Sequence, residues 1–269
     1  MKKNINTTIQ WLAVGIFSIS LTLVSCKKEG CTDPAATNYS EEADEDDGSC
    51  EYAQAAEPES YTPTYSGEYA LLASIKTVST QSTPVGNVDT EVGTAVAAFS
   101  QDGGSNFVDA GTVSVETKNL EKQDNNAYTF TDISQSNPTG ISFSTPIDWE
   151  ISGGTWAAFT ASTNKDFPTV AEINEEEVSS GSDFTLSVNN ITDADSVVFA
   201  VYGTNDYALV IKAGNTTSHT FSASELNNIG EGNGFIQVTG VVYDQQTING
   251  KAVYLVNETV RTKSVMIEP

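Results

Sequence analysis

Apolar and polar residues alternate along much of the chain, and the alternation is cut into short runs by turn formers. Phe184, Leu186 and Val188 alternate with Thr185 and Ser187, the period-two pattern of a strand with one buried face. Breaks such as Asp102-Gly103-Gly104, Gly153-Gly154 and Asn249-Gly250 supply the turn chemistry between runs. The first half predicts strands over Glu68 to Val78, Gly93 to Phe99, Gly111 to Thr117, Ala127 to Thr131, Ile141 to Phe143 and Thr155 to Thr160. Around Phe167-Pro168 and the acidic run Glu175 to Glu177 the pattern stops and restarts. The second half predicts strands at 184 to 188, 196 to 202, 207 to 212, 218 to 221, 234 to 243, 251 to 257 and 259 to 267. One helical turn is expected at Ser224 to Asn228, capped by Ser222 or Ser224.

Strands this short and this closely spaced, without intervening helices, predict an all-β protein. Seven of them in the second half fit an immunoglobulin-like or fibronectin-type sandwich. The expected organisation is therefore two tandem β-sandwich domains, 67–168 and 169–269. Ahead of them, residues 53–66 are short of core formers and read as a linker. Composition agrees, since 18% of the 269 residues are charged and 38% apolar, a profile of exposed β structure and not of a helical bundle. The formal charge of −24 excludes a nucleic-acid footprint, because phosphate binding needs clustered basic residues.

The first 25 residues follow another pattern. Lys2 and Lys3 precede an apolar stretch from Trp11 to Val24, interrupted by Gly15, Ser18, Ser20 and Thr22. The stretch is too short and too polar to span a bilayer, and a basic start before a short apolar run marks an export signal. Its end, Leu23-Val24-Ser25-Cys26, resembles the lipobox of bacterial lipoproteins. That resemblance implies cleavage before Cys26, acylation of Cys26, and anchorage in a membrane by its acyl chains. No Asp follows the Cys; Lys27-Lys28-Glu29 does, which among Gram-negative lipoproteins implies the outer membrane and a body facing the cell exterior.

Residues 26–52 form a distinct acidic stretch. Eleven of the 36 acidic residues lie between Glu29 and Glu59, and Cys31 and Cys50 bracket the densest part. In an exported chain two Cys at this spacing are expected to pair, and a piece with so few apolar residues needs a covalent staple or a metal. Asp33, Asn38, Asp44, Asp46 and Asp47 offer hard oxygens around a Gly-containing turn, which suits Ca²⁺ and not Zn²⁺. The order Asp44-x-Asp46-Asp47-Gly48 is one residue short of EF-hand spacing and lacks its twelfth-position Glu. The run Cys31-Thr32-Asp33-Pro34-Ala35, Asn38-Tyr39, Ala43 and Asp46-Asp47-Gly48-Ser49-Cys50 resembles a short module of bacterial surface proteins. That module is grouped with the aspartate-rich, calcium-binding thrombospondin type three repeats. Ser40-Glu41 stands where the usual module has Asn-Pro.

Catalytic chemistry is sparse. His219 is the single histidine and lies on an expected strand; no nucleophile elbow, P-loop, dinucleotide fingerprint or zincin motif occurs. Asp148 and Glu150 flank Trp149 and could in principle form the carboxylate pair of a glycoside hydrolase. Trp149, Trp156 and the spacing of Tyr61, Tyr65 and Tyr69 raise a sugar-stacking surface, against the simpler expectation that both Trp fill the core. Glu175 to Glu177 read as a solvated inter-domain run, and the loops at Asn205-Asp206 and Asp244 to Asn249 as places for recognition. The resulting expectation is a non-enzymatic, lipid-anchored surface protein. Its calcium-binding stalk displays β-sandwich domains that bind or adhere to an extracellular glycan or protein. The alternatives are a glycan-binding accessory lipoprotein of a polysaccharide-uptake system and, from another class, a carboxylate-dependent hydrolase.

Overall fold

The computed structural model describes residues 28–51, 62–83 and 86–269. The export segment, Cys26 and most of the linker, with Tyr61, lie outside the described residues. The described residues fall into two compact units, divided between Ala56 and Glu57. In the first, Glu29–Gly30 pairs in parallel with Glu45–Asp46, and Cys31 is disulfide-bonded to Cys50 with Cα atoms 4.8 Å apart. Cys31 and Ala36 are its only buried apolar residues among those described, so the staple replaces a core.

Among its described residues the second unit is all-β apart from one helical turn. We label its main strands β1 (Tyr69–Thr83), β2 (Gly86–Ser100), β3 (Val113–Val115), β4 (Ile147–Ile151), β5 (Phe159–Thr163), β6 (Phe184–Ser187), β7 (Ser196–Tyr202), β8 (Tyr207–Ala213), β9 (Ser218–Phe221), β10 (Gly232–Ile248) and β11 (Lys251–Glu268). The helical turn α1 (Ala223–Leu226) has a capping box between Ser222 and Glu225. A nine-stranded sheet runs β8-β7-β10-β11-β1-β2 and ends on the short pieces Tyr128–Thr129 and Glu121–Lys122. Its central pair, β11 with β1, is parallel, from Ala252 opposite Tyr69 to Lys263 opposite Thr80. The β10–β11 hairpin turns at Asn249-Gly250, both at positive φ (53° and 77°), as the Asn-Gly signal demands.

One face of this sheet carries two separate cores. The first gathers Phe99, Tyr128, Trp149 and Trp156 and includes Val253 and Leu255 of β11. It is closed by a smaller sheet containing β5-β4-β3. The second gathers Leu186, Phe199, Phe221 and Ile236 and includes Val265 and Ile267 of the same strand, with β6 and β9 paired opposite. Between those apolar ends, β11 turns Asn257, Thr259, Arg261 and Lys263 toward the same side. Val253 and Leu255, from beyond position 169, complete the first core, and the sheet is continuous across both cores.

Several local expectations are corrected. The expected strands 251–257 and 259–267 leave a break at Glu258, yet β11 is one strand of 18 residues. Asn257 is buried and its amide donates to the Lys165 carbonyl at 2.7 Å, so a tertiary partner satisfies the polar group beside the expected break. Asp244 to Ile248 belongs to β10 and not to a loop. Ile141 to Phe143 is not a strand, although Ile141 is buried and its amide donates to the Gly93 carbonyl. That approach requires glycine, since a Cβ at position 93 would lie 1.9 Å from the Ile141 carbonyl oxygen. The strand β4, with its clean in-out alternation, goes unrecognised in the sequence.

Candidate functional site

Three surfaces merit attention, and the first is the acidic module. Asp33, Asp46 and Asp47 each accept a backbone N–H two residues on, from Ala35, Gly48 and Ser49, at 2.9 to 3.0 Å. Asn38 clamps the ends of the loop, donating to the Ser49 carbonyl at 2.6 Å and accepting from the Glu51 N–H at 2.8 Å. The Lys28 N–H points to Asp44 at 3.5 Å. Hydrogen bonds from Ser49 hold the Asp47 carboxyl below the usual carboxylate range. All five expected ligands thus lie on one short loop, and each spends an oxygen or amide on fixing it. Among the described residues no three His, Cys, Asp or Glu side chains converge as a metal cage.

The second surface lies over β3, β4 and β5. Strand alternation sends Ile147, Trp149 and Ile151 into the core and leaves Asp148 and Glu150 on the outer face. Their cross-strand neighbours are hydroxylated: Ser162 opposite Asp148, and Thr160 and Ser114 on either side of Glu150. Together with Thr117 and Gln246 they line an open cavity of about 560 Å³. Gln246, at the far end of β10, reaches over to donate to the Ser162 carbonyl at 2.8 Å and to Asp244 at 3.0 Å. The lining contains two carboxylates, four hydroxyls and an amide, and neither Lys nor Arg.

The turn that carries Thr117 is strained. Glu116 and Thr117 both sit at positive φ, 47° and 64°, the type I′ pattern that Asn-Gly normally supplies. A β-branched residue in that region is a genuine outlier. Hydrogen bonds to β4 hold it there, with the Glu116 N–H donating to the Asp148 carbonyl at 3.0 Å and the Glu116 carboxylate accepting from the Asp148 N–H at 3.2 Å. Both groove carboxylates are exposed on one strand face.

The third surface is an aromatic ladder on the outer face of the large sheet. Tyr202 stacks on Phe235 at 4.4 Å and 16°, and on Tyr207 at 5.6 Å and 29°. Tyr202 is thus sandwiched between the other two rings, while Tyr207 and Phe235 stay exposed at the ends of the row. Leu209, Ile211 and Met266 extend this exposed apolar area.

Other candidates take structural roles. Trp149 and Trp156 are both 2% exposed and fill the first core. Tyr65 and Tyr69 pack edge-on to Tyr254, where burial raises their hydroxyl pKa values. His219 packs its ring against Phe221 at 4.6 Å. The run Glu175 to Glu177 is not simply solvated. Glu175 accepts from the Ser187 N–H and hydroxyl, Glu176 pairs with Lys263, and Glu177 begins a short strand along β11. Asn205 and Asp206 form the β7–β8 turn, their N–H groups donating to the Ile229 carbonyl. Among the described residues no helix is long and apolar enough to cross a membrane. Comparison with protein-family models, with curated proteins and with solved structures finds no match for this chain.

Proposed function

We propose that this chain is a non-enzymatic lipoprotein of the outer membrane, anchored through acylated Cys26 and facing the cell exterior, whose β body binds a neutral glycan in the groove over Asp148 and Glu150. The observation that carries the reading is the strained Thr117 turn, held at the rim of a polar cavity. Backbone strain of this kind costs roughly 1 to 3 kcal/mol and persists mainly where a site needs it. The lining supplies many acceptors, which suit a ligand rich in hydroxyl donors. Two carboxylates with no Lys or Arg in the lining disfavour uronates, sulfates and phosphates. A cavity of about 560 Å³ holds more than a single ammonium group and falls within the size range of small-ligand sites. Calcium binding by Asp33, Asn38, Asp44, Asp46 and Asp47 belongs to the same proposal. It requires the carboxylate oxygens left over from the turn bonds to converge on the ion.

The test is a neutral-glycan array probed with the full-length lipidated chain in detergent, beside Asp148→Asn/Glu150→Gln. Binding by the wild type that the double variant loses, with an unchanged circular dichroism spectrum, is the expected result. A silent array overturns the glycan reading, and release of reducing sugar by the wild type replaces it with the hydrolase. Cys26→Ala is expected to abolish membrane retention; retention of the variant refutes the anchor.

A further inference from the structure

We propose that β8 is a self-pairing edge through which two copies of this chain join their large sheets into one, an inference independent of the groove. The two edges of the sheet are built differently. One ends in the two-residue piece Glu121–Lys122, short and charged, which is how proteins blunt a sheet edge. The other ends in β8, seven residues long, with no Pro and with Lys212 as its single charge. Among the described residues β8 pairs only with β7, so the ladder positions along its outer side face no strand. Its outward side chains Tyr207, Leu209 and Ile211 are 58%, 46% and 41% exposed, an apolar edge of the kind that templates strand addition.

The sequence of this edge, Asp206-Tyr-Ala-Leu-Val-Ile-Lys212, is complementary to itself when run antiparallel. A two-fold axis at Leu209 sets Leu209 against Leu209, Tyr207 against Ile211, and Ala208 against Val210. The same register brings Asp206, in the turn just before the strand with one carboxylate oxygen on the Tyr207 N–H, near Lys212 of the other copy, so opposite charges meet at both ends of the pairing. Shifting the axis to Val210 keeps the faces aligned but sets Lys212 opposite Ala208 and loses both charge pairs, so the charges specify the register. The contact is isologous, as a two-fold dimer requires. It also continues the Phe235–Tyr202–Tyr207 ladder onto Ile211 of the second copy, covering apolar surface that folding leaves in water.

The test uses the full-length chain in its own membrane. Leu209→Cys places a thiol against its copy across the axis and is expected to give a covalent dimer on a non-reducing gel. Ser264→Cys, exposed on the same sheet face away from the edge, serves as the control with an equal thiol count. Asp206→Lys and Lys212→Asp, each in the Leu209→Cys background, are expected to reduce the dimer at least fivefold, and the double swap to restore it. Cross-linking of Leu209→Cys no greater than that of Ser264→Cys overturns the proposal. So does cross-linking to a different protein, or a double swap that stays monomeric.

Discussion

Lys263, on the central strand β11, carries its ammonium into the protein and donates it to Glu176 at 2.6 Å and to the Ile173 carbonyl at 3.3 Å. It is one of three such contacts. Asn257 reaches the Lys165 carbonyl at 2.7 Å, and Arg261 the Val170 carbonyl at 3.4 Å. The polar middle of β11 therefore fastens the segment that crosses from the first core to the second. Removing Glu176 leaves a buried ammonium without its carboxylate, whereas removing Lys263 leaves only an exposed carboxylate that water solvates. Glu176 is two-thirds exposed, which moderates the effect. Glu176→Ala is expected to cost about 1 to 3 kcal/mol and Lys263→Met less than about 1 kcal/mol, read from urea denaturation midpoints at constant slope. Equal losses in the two variants would refute the argument.

Asp102 governs the loop after β2. Its carboxylate accepts from the Asn106 side chain and backbone N–H and from the Ser100 hydroxyl, which lowers its pKa from 3.8 to about 2. A carboxyl depressed in the folded state stabilises it above the unfolded pKa and loses that contribution as pH falls through the folded value. The thermal midpoint of the wild type should thus exceed that of Asp102→Asn by a constant margin above about pH 5. The margin should shrink between about pH 4 and pH 2. A margin independent of pH over that window would show that the hydrogen bonds, and not the charge, do the stabilising.

The fold was legible wherever local chemistry decided it. Ser196–Tyr202 and Ser218–Phe221 coincide with their expected bounds, and Asn249-Gly250 turns the long hairpin. It was illegible where distant partners decided it, as at Asn257, whose polarity is answered by Lys165 from 92 residues away. The parallel pairing of β11 with β1 leaves no trace in either strand, because register across such a span is set by packing and not by a turn. In the groove, Asp148 and Glu150 were visible as a pair. Their hydroxylated neighbours were not, since Ser114, Thr160 and Ser162 meet them only through cross-strand register. The Thr117 turn gave a faint signal only in hindsight, since Glu-Thr is poor chemistry for the turn it occupies.

The N-terminal module depends on its staple. With Cys31 and Ala36 as its buried apolar residues among those described, Cys31→Ser removes a loop closure worth roughly 3 kcal/mol. Limited proteolysis of the variant should cleave between residues 31 and 50 while the wild type resists. The melting of the β body, a separate compact unit, should be unchanged. Resistance of the variant to cleavage would mean that other contacts hold the module.

Thr117 offers the sharpest separation of stability from binding. At φ 64° a β-branched side chain is disfavoured by roughly 1 kcal/mol relative to glycine, so Thr117→Gly should raise stability by about that amount. The same substitution deletes one of four hydroxyls that line the cavity over Asp148 and Glu150. If the strain is kept for the sake of that hydroxyl, the stabilised variant should bind its glycan several-fold more weakly. Thr117→Asn, which tolerates the left-handed region and retains a polar side chain, should recover part of the affinity. Denaturation midpoints and binding isotherms on the same three proteins decide the matter. A variant at once more stable and equally tight would show that the turn is merely tolerated, and would remove the main support for placing the ligand here.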